Sequence, residues 1–360
     1  MSETLSPAIR DPRTVTLEVP EAWFRNAQDG NQHQAFYSTL LAALAEMNVL
    51  IEPVWLPRGA ERAPRNVSSD RMLISFHSHG EAGNLLRCKE SYIPPFYTMD
   101  RMGYSCFSEL ALFPDRFYDE ISRQDEDESK AFLADLGREL RRSNLSKYSQ
   151  PPRCGDRIAD AYVFVPLQMT NDSVTHGTWL EIRAALDCIV AAASARGLKT
   201  VIKRHPRCKD RGISRALDLL DQNPNVIISE KSIYDLIPNA EVVVGANSGV
   251  LFESLMQDRP VISFASSDFG IAVQQVNSYE ELSAAIAHPD PPSPAWRQKF
   301  LFWYLCQYCV RSDSVFQVRH KIQSFRRSEK LRRRRYGIHR FKSAHLFVYS
   351  IVDRIKKRLF

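Results

Sequence analysis

No stretch of this 360-residue sequence approaches the roughly 18 uninterrupted apolar residues of a membrane span, and its opening, MSETLSPAIRDPR, lacks the basic-then-apolar layout of a secretory signal. The expectation is a chain that stays in the cytoplasm. A GxxxxGK(S/T) phosphate loop is missing, and so is an HExxH zinc motif, which sets aside P-loop and zincin chemistry. Cysteines are scattered and odd in number, at 88, 106, 154, 188, 208, 306 and 309, which suits reduced thiols better than a disulfide framework. Cys306 and Cys309 have CxxC spacing, but they lie in the aromatic run KFLFWYLCQYCV with no second pair and no nearby histidine, so core packing is expected of them. No internal repeat recurs at a fixed spacing.

What is present is informative by location. The length suggests two domains, with enough chain for a sizeable core. Residues 311–360 hold 16 Lys and Arg against 3 Asp and Glu, a local charge of +13; the whole chain is +6, so residues 1–310 carry −7. The basicity belongs to the C-terminal segment.

From residue 161 apolar runs alternate with amphipathic stretches. AYVFVPLQ, KTVIKRHP, NVIIS, EVVVGA and RPVISF are expected strands; TWLEIRAALDCIVAAASARG (closed by Gly197), ISRALDLLDQN, SIYDLIPNA and SGVLFESLMQD are expected helices. Such alternation implies βαβ units and a parallel, doubly wound sheet. In the first 150 residues TVTLEVP, NVLIEPVWL and RMLISFHSHG are candidate strands and QAFYSTLLAALAEM a helix, pointing to a second α/β domain. A charged helix and a Pro/Gly-containing linker then put the boundary near 150–160. The expected organisation is an N-terminal Rossmann-like domain over 1–155, a C-terminal Rossmann domain over 156–290, a helical region over 291–325 that crosses back, and a basic amphipathic tail over 326–360.

In an open parallel sheet, ligands bind beyond the carboxyl ends of the strands. Three unusual segments fall there: PLQMTND, KRHP and GANSG. Each has a plain alternative: a polar loop, a basic strand end, and a helix cap in which Asn247 or Ser248 satisfies backbone donors. Together they favour an anion site. A helix starting at Ser248 or Gly249 offers N–H groups to a phosphate, Lys203, Arg204 and His205 would add positive charge on the same rim, and Asp172 is the carboxylate of the first loop, fit for base or nucleophile work. With no DxD-type acid pair in these loops, the site is expected to work without a metal, and no cofactor is called for.

The ordered set VFVPLQMTNDSV, VIKRHPR and GANSGVLFESLMQDRPVISF resembles the capsule polysaccharide synthesis family of bacterial β-Kdo glycosyltransferases, and FYTMDRMGYSCFSEL is similar to the Asp-x-x-Gly-Tyr-Ser segment of that family. The resemblance covers roughly residues 75–270. It implies a GT-B-like pair of Rossmann-type domains facing a cleft, with a CMP-sugar held mainly by the second. On this basis His205 and Pro206 form the HP motif and assist the CMP phosphate. Ser248 and Asn247 bind phosphate beside Gly249, while Gln168, Lys203 and Arg204 line the donor site. Asp172 matches the acid that serves as nucleophile in retaining members. Glu253 either reaches the ribose or packs.

The acceptor-side candidates are His77 and His79 of FHSHG, with Asp100, Tyr104 and Ser105; where the family carries a bulky residue after Gly-Tyr-Ser-Gly, this chain has Cys106 and Phe107. A metal at the two histidines would need a third ligand that the sequence does not place. The implied reaction is transfer of Kdo from CMP-Kdo to a lipid-linked or lipopolysaccharide acceptor. Alternatives are a donor carrying another acidic sugar such as sialic acid, or a homologue that binds nucleotide or glycan without turnover.

The tail ends in a segment with Val348, Ile351, Val352, Ile355 and Leu359 on one helical face and Arg354, Lys357 and Arg358 off it. A basic amphipathic helix suits an anionic inner-membrane surface. No RNA- or DNA-binding motif accompanies it, so a membrane is favoured over nucleic acid, and a peripheral position on the inner face of the cytoplasmic membrane is expected.

Overall fold

A computed structural model describes residues 14–25, 30–61, 63–65, 71–81, 83–154, 158, 160–328 and 342–359. The chain forms two α/β units, one drawn from Met1–Lys89, Tyr97–Tyr104 and Val310–Phe360, the other from Glu90–Phe96 and Ser105–Cys309. This differs from the expected break near 150–160. Residues 105–154 join the second unit because α3 (Glu109–Leu112), α4 (Tyr118–Ser122) and α5 (Glu126–Ser143) put Leu110, Ile121, Leu133 and Leu140 into its core. The 291–325 region is also divided: residues to 309 stay with the second unit, and from Val310 the chain belongs to the first.

In the first unit, β1 (Thr14–Pro20) is followed by α1 (Glu21–Arg25), α2 (Gly30–Glu46) and β2 (Leu50–Leu56), then β3 (Met72–Phe76), β4 (Leu85–Glu90) and β5 (Phe96–Asp100). Late in the chain come β12 (Cys309–Arg311), α12 (Val315–Ser328) and α13 (Lys342–Leu359). The sheet order is β12-β5-β4-β3-β1-β2, with β2, β1, β3 and β4 parallel. Phe36, Leu40 and Leu44 of α2 and Val318, Ile322 and Phe325 of α12 bury against Val15, Leu17, Ile74 and Phe76. Neither β4 nor β5 was among the expected strands. Charged residues break the apolar pattern of LLRCKE, and Arg87 is nonetheless buried, its guanidinium donating to the Arg101 carbonyl.

The second unit holds β6 (Tyr162–Pro166), α6 (Ile182–Ala195), β7 (Lys199–Lys203), α7 (Arg211–Leu220), β8 (Val226–Ile228), α8 (Ile233–Leu236), β9 (Ala240–Gly245), α9 (Gly249–Leu255), β10 (Val261–Ser263), β11 (Gln274–Gln275), α10 (Tyr279–Ala287) and α11 (Pro294–Trp303). Its six strands run in the order β11-β10-β9-β6-β7-β8, all pairs parallel. Alternate side chains of β6 serve two cores: Tyr162 and Phe164 face one, Val163 and Val165 the other. Burial on both faces is why these strands are nearly continuous apolar runs. Gly197, at φ +70°, ends α6 in the left-handed conformation that glycine adopts without strain. Every helix and strand expected after residue 161 is present.

The paired cysteines also follow the packing expectation: Cys309 is buried, Cys306 half-buried, and neither forms a disulfide. No described helix is long and apolar enough to cross a membrane.

Candidate functional site

The strand order of the second unit reverses between β6 and β9, because the chain proceeds outward through β7 and β8 and then returns to the other side of β6. Ligands of doubly wound sheets bind at this crevice. Two of the singled-out loops meet there: the Asn247 N–H donates to Gln168 Oε1 at 3.1 Å, joining the loop after β6 to the loop after β9. A pocket of about 330 Å³ opens beside them, lined by Gln168, Thr170, Thr178, Arg183, Asp210 and Ala246 among others. That volume lies in the range of small-molecule sites.

Asp172 precedes a 3₁₀ turn over Ser173–Gly177 and is exposed. Its carboxylate accepts from the Ser173 hydroxyl at 3.2 Å and does not cap the turn. Asp172 follows β6 as His205 follows the adjacent parallel strand β7, so the two expected catalytic residues lie on one rim of the sheet. His205 departs from expectation in its charge. Burial, reinforced by Arg207, lowers its pKa to about 4 against a partly opposing Asp172. The Arg207 N–H donates to Nδ1 at 3.1 Å, which puts the proton of the neutral ring on Nε2. The ring meets Tyr148 edge-on, with centroids 4.8 Å apart. His205 is therefore a neutral N–H donor and not a positive charge.

Lys203 is a second correction. Its ammonium donates to the carbonyls of Glu230 and Lys231 at 3.1 and 2.7 Å, and burial lowers its pKa. It fastens the β7 end to the segment after β8 and does not extend into a donor site. Arg204 donates to the Asp210 carbonyl at 3.2 Å, while its Nε is buried without a hydrogen-bond partner. Pro206 is exposed in the turn closed by the Cys208 N–H on the His205 carbonyl.

At the start of α9 neither Asn247 nor Ser248 provides a side-chain cap. The Asn247 amide instead donates to the carbonyls of Val174 and Ser266 at 2.9 and 3.2 Å, and its Oδ1 is buried without a partner. Ser248 is buried beside it. A Cβ on Gly249 would make only ordinary contact with Tyr92, so packing alone does not require glycine there. Glu253 is 3% exposed, which sets it within the core side of α9 and off the rim. Burial pushes its pKa up to about 8 against the pull of a Ser146 hydrogen bond and Lys147, and Oε1 has no partner. At neutral pH it is a protonated carboxyl.

Sequence reasoning missed the residues that brace this rim. Ser146, Lys147 and Tyr148 looked like linker. Asp268 follows β10 and accepts from the hydroxyls of Tyr92 and Tyr304, the latter at 3.0 Å. Tyr92 stacks on Phe252 of α9 with centroids 5.0 Å apart. Asp210 caps α7 and accepts from Thr170 at 2.9 Å; the Ile213 N–H and Thr170 hold its carboxyl below the usual range. Helix caps preceding an amphipathic run are a legible signal, but the tyrosine pair on Asp268 leaves none.

The acceptor-side candidates divide between the units. Ser105, at φ +50°, is buried in the second, and its neighbour Cys106 packs where a Cβ on Gly177 would come within 2.6 Å. His77, His79, Asp100 and Tyr104 belong to the first unit and lie at or just beyond the ends of β3 and β5. His77 sits at φ +53°, an uncommon conformation for a residue with a side chain. Its Nε2 is 3.2 Å from the Lys89 ammonium, which also lies 5.4 Å from the Tyr104 ring centroid; His79 meets that ring edge-on. Asp100 accepts the N–H groups of Met102 and Gly103 at 2.6 and 2.7 Å. Its carboxylate thus shapes the turn carrying Tyr104. Among the described residues no group of three or more His, Cys, Asp and Glu gathers in a metal-holding arrangement.

No protein-family model matches the chain. It is 33% identical over 164 residues to Protein FixF of Sinorhizobium fredii, a match covering 43% of this chain and 40% of that protein, so the chain spans about two fifths of its length. Among solved structures, the Thermosulfurimonas dismutans KpsC beta Kdo 2,7 transferase is similar at 14% identity and a TM-score of 0.46, over 86% of this chain and 99% of that one. The beta Kdo 2,4 transferase of the same organism is similar at 15% identity and a TM-score of 0.47, over 81% and 90%.

Proposed function

We propose that the chain is a glycosyltransferase that moves Kdo from CMP-Kdo to a lipid-linked, lipopolysaccharide or capsule glycan acceptor at the inner face of the cytoplasmic membrane. The observation that carries this reading is the placement of an exposed Asp172 and a neutral His205 beyond the carboxyl ends of the adjacent parallel strands β6 and β7. In the reaction as we write it, the Asp172 carboxylate attacks the anomeric carbon and the bond to the CMP phosphate breaks, its electron pair leaving with CMP. The His205 Nε2–H donates a hydrogen bond to the departing phosphate, where negative charge grows in the transition state. An acceptor hydroxyl then attacks the same carbon, displaces the Asp172 carboxylate and passes its proton to water, so two inversions leave the configuration retained. No step calls on a metal.

Gln168 and Asn247 hold the two loops in register. The acceptor is assigned to the half-buried His77, His79 and Lys89 of the first unit, whose imidazoles and ammonium suit hydroxyl and acidic groups of a glycan.

Incubation with CMP-Kdo and, separately, CMP-sialic acid tests the donor; turnover of only the latter would replace Kdo, and CMP binding without turnover of either would leave a non-catalytic binder. Asp172→Asn should abolish transfer while CMP still binds. Intact-protein mass spectrometry should find one sugar mass on the wild-type peptide holding Asp172, and a product of inverted configuration would remove the nucleophile assignment.

A further inference from the structure

Helix α13 has two faces, and among the described residues only one is packed against the protein. Leu346 and Ser350 are buried, Leu346 and Tyr349 packing with Leu56, Ala60 and Ala63. The Ser350 hydroxyl donates to the Arg58 carbonyl at 2.8 Å. At about 100° per residue, Val348, Ile351, Val352 and Ile355 fall on the opposite side within an arc of about 100°. They are 62, 54, 45 and 50% exposed. Two exposed cations border this aliphatic strip, one on each side: Arg354, whose guanidinium is steadied by Ser350 Oγ at 2.7 Å, and Lys356. The helix has one acidic residue, Asp353, and Lys357 pairs with it at 2.7 Å.

We propose that this strip seats the protein on an anionic lipid bilayer, the four aliphatic side chains entering the boundary between headgroups and acyl chains while Arg354 and Lys356 meet lipid phosphates. Charge chooses the occupant. An aliphatic strip alone would suit a second copy of the chain equally well, but that copy would bring the same cations to the contact, whereas an anionic surface complements them. The net charge of +13 over residues 311–360 favours the same partner. The inference does not depend on the transferase reading.

The test uses the full chain and sedimentation with vesicles of phosphatidylglycerol and phosphatidylcholine, against phosphatidylcholine alone. Binding is expected only with phosphatidylglycerol and should weaken as salt rises. The pair Ile351→Gln and Ile355→Gln should lower it about tenfold or more, and Lys356→Glu by a similar factor. These positions are exposed, so an unchanged thermal melt by circular dichroism serves as the folding control. Equal binding to neutral vesicles, or full binding by both variants, overturns the proposal. So does a wild-type dimer in size-exclusion chromatography that the isoleucine variant loses while no vesicle binding is seen, which would give the strip to a second copy.

Discussion

Two lysines near strand ends, one in each unit, meet opposite fates. Lys203 closes β7 of the second unit and spends its charge on two backbone carbonyls, whereas Lys89 near the end of β4 in the first unit faces an imidazole nitrogen and a tyrosine ring. The first is buried and the second half-buried. A basic residue next to a candidate site is thus no evidence of anion binding until the direction of its ammonium is known. In the second unit the polar atoms are mostly engaged with one another, Gln168 with Asn247 and Thr178, Asp210 with Thr170, and the chemistry narrows to an exposed carboxylate and a neutral imidazole.

The sharpest way to break this contrast is His205→Ala, expected to slow transfer by about 10² to 10⁴ without unfolding the protein. A pH profile tests the charge state separately. With a pKa of about 4, His205 is neutral from pH 7 down to pH 5, so no rise in rate from imidazolium formation is expected over that interval. A rise through the ordinary histidine range near 6.5 would mean that the charged ring does the work.

The lysines themselves come next. Lys203→Met leaves two carbonyls without their donor and should cost about 1–3 kcal/mol in denaturant unfolding while CMP binding persists in the folded protein. Lys89→Met should leave stability and CMP binding unchanged and raise the acceptor KM on the order of tenfold, the loss of one charge-assisted hydrogen bond. Reversal of these outcomes would reverse the comparison.

In activity at neutral pH the smallest effect is expected of Glu253→Gln, which replaces a carboxyl already protonated there. Since its folded pKa, about 8, lies above the unfolded value, the stability it contributes is full below about 4.5 and is lost as pH rises through 8. The glutamine variant should therefore gain on the wild type between pH 5 and pH 8 in thermal melts. A constant difference would mean that Glu253 is ionised throughout.

The doubly wound sheet of the second unit was legible because strands buried on both faces, and helices with one apolar face, write their periods directly into VFV, VIK and VVV and the runs between them. Asp172, His205 and Gln168 were legible as polar residues at strand ends. Lys203 was misread since the local pattern KRHP records that a strand is ending, not which way a flexible four-carbon chain turns. β4 escaped notice because Arg87 interrupts its apolar run and finds its hydrogen-bond partner only in the folded turn after β5.

By itself, then, the sequence determined the order of strands and helices after residue 161, the position of the charge and the candidate rim, all of which depend on periodicities spanning a few residues. Only the tertiary structure decided that residues 105–154 pack with the second unit, that His205 is neutral, that Asp100 holds a turn, and which face of α13 is left exposed on the protein. Those outcomes rest on burial and on hydrogen bonds between residues far apart in the chain, where desolvation and partner geometry set the charge and the direction of each side chain.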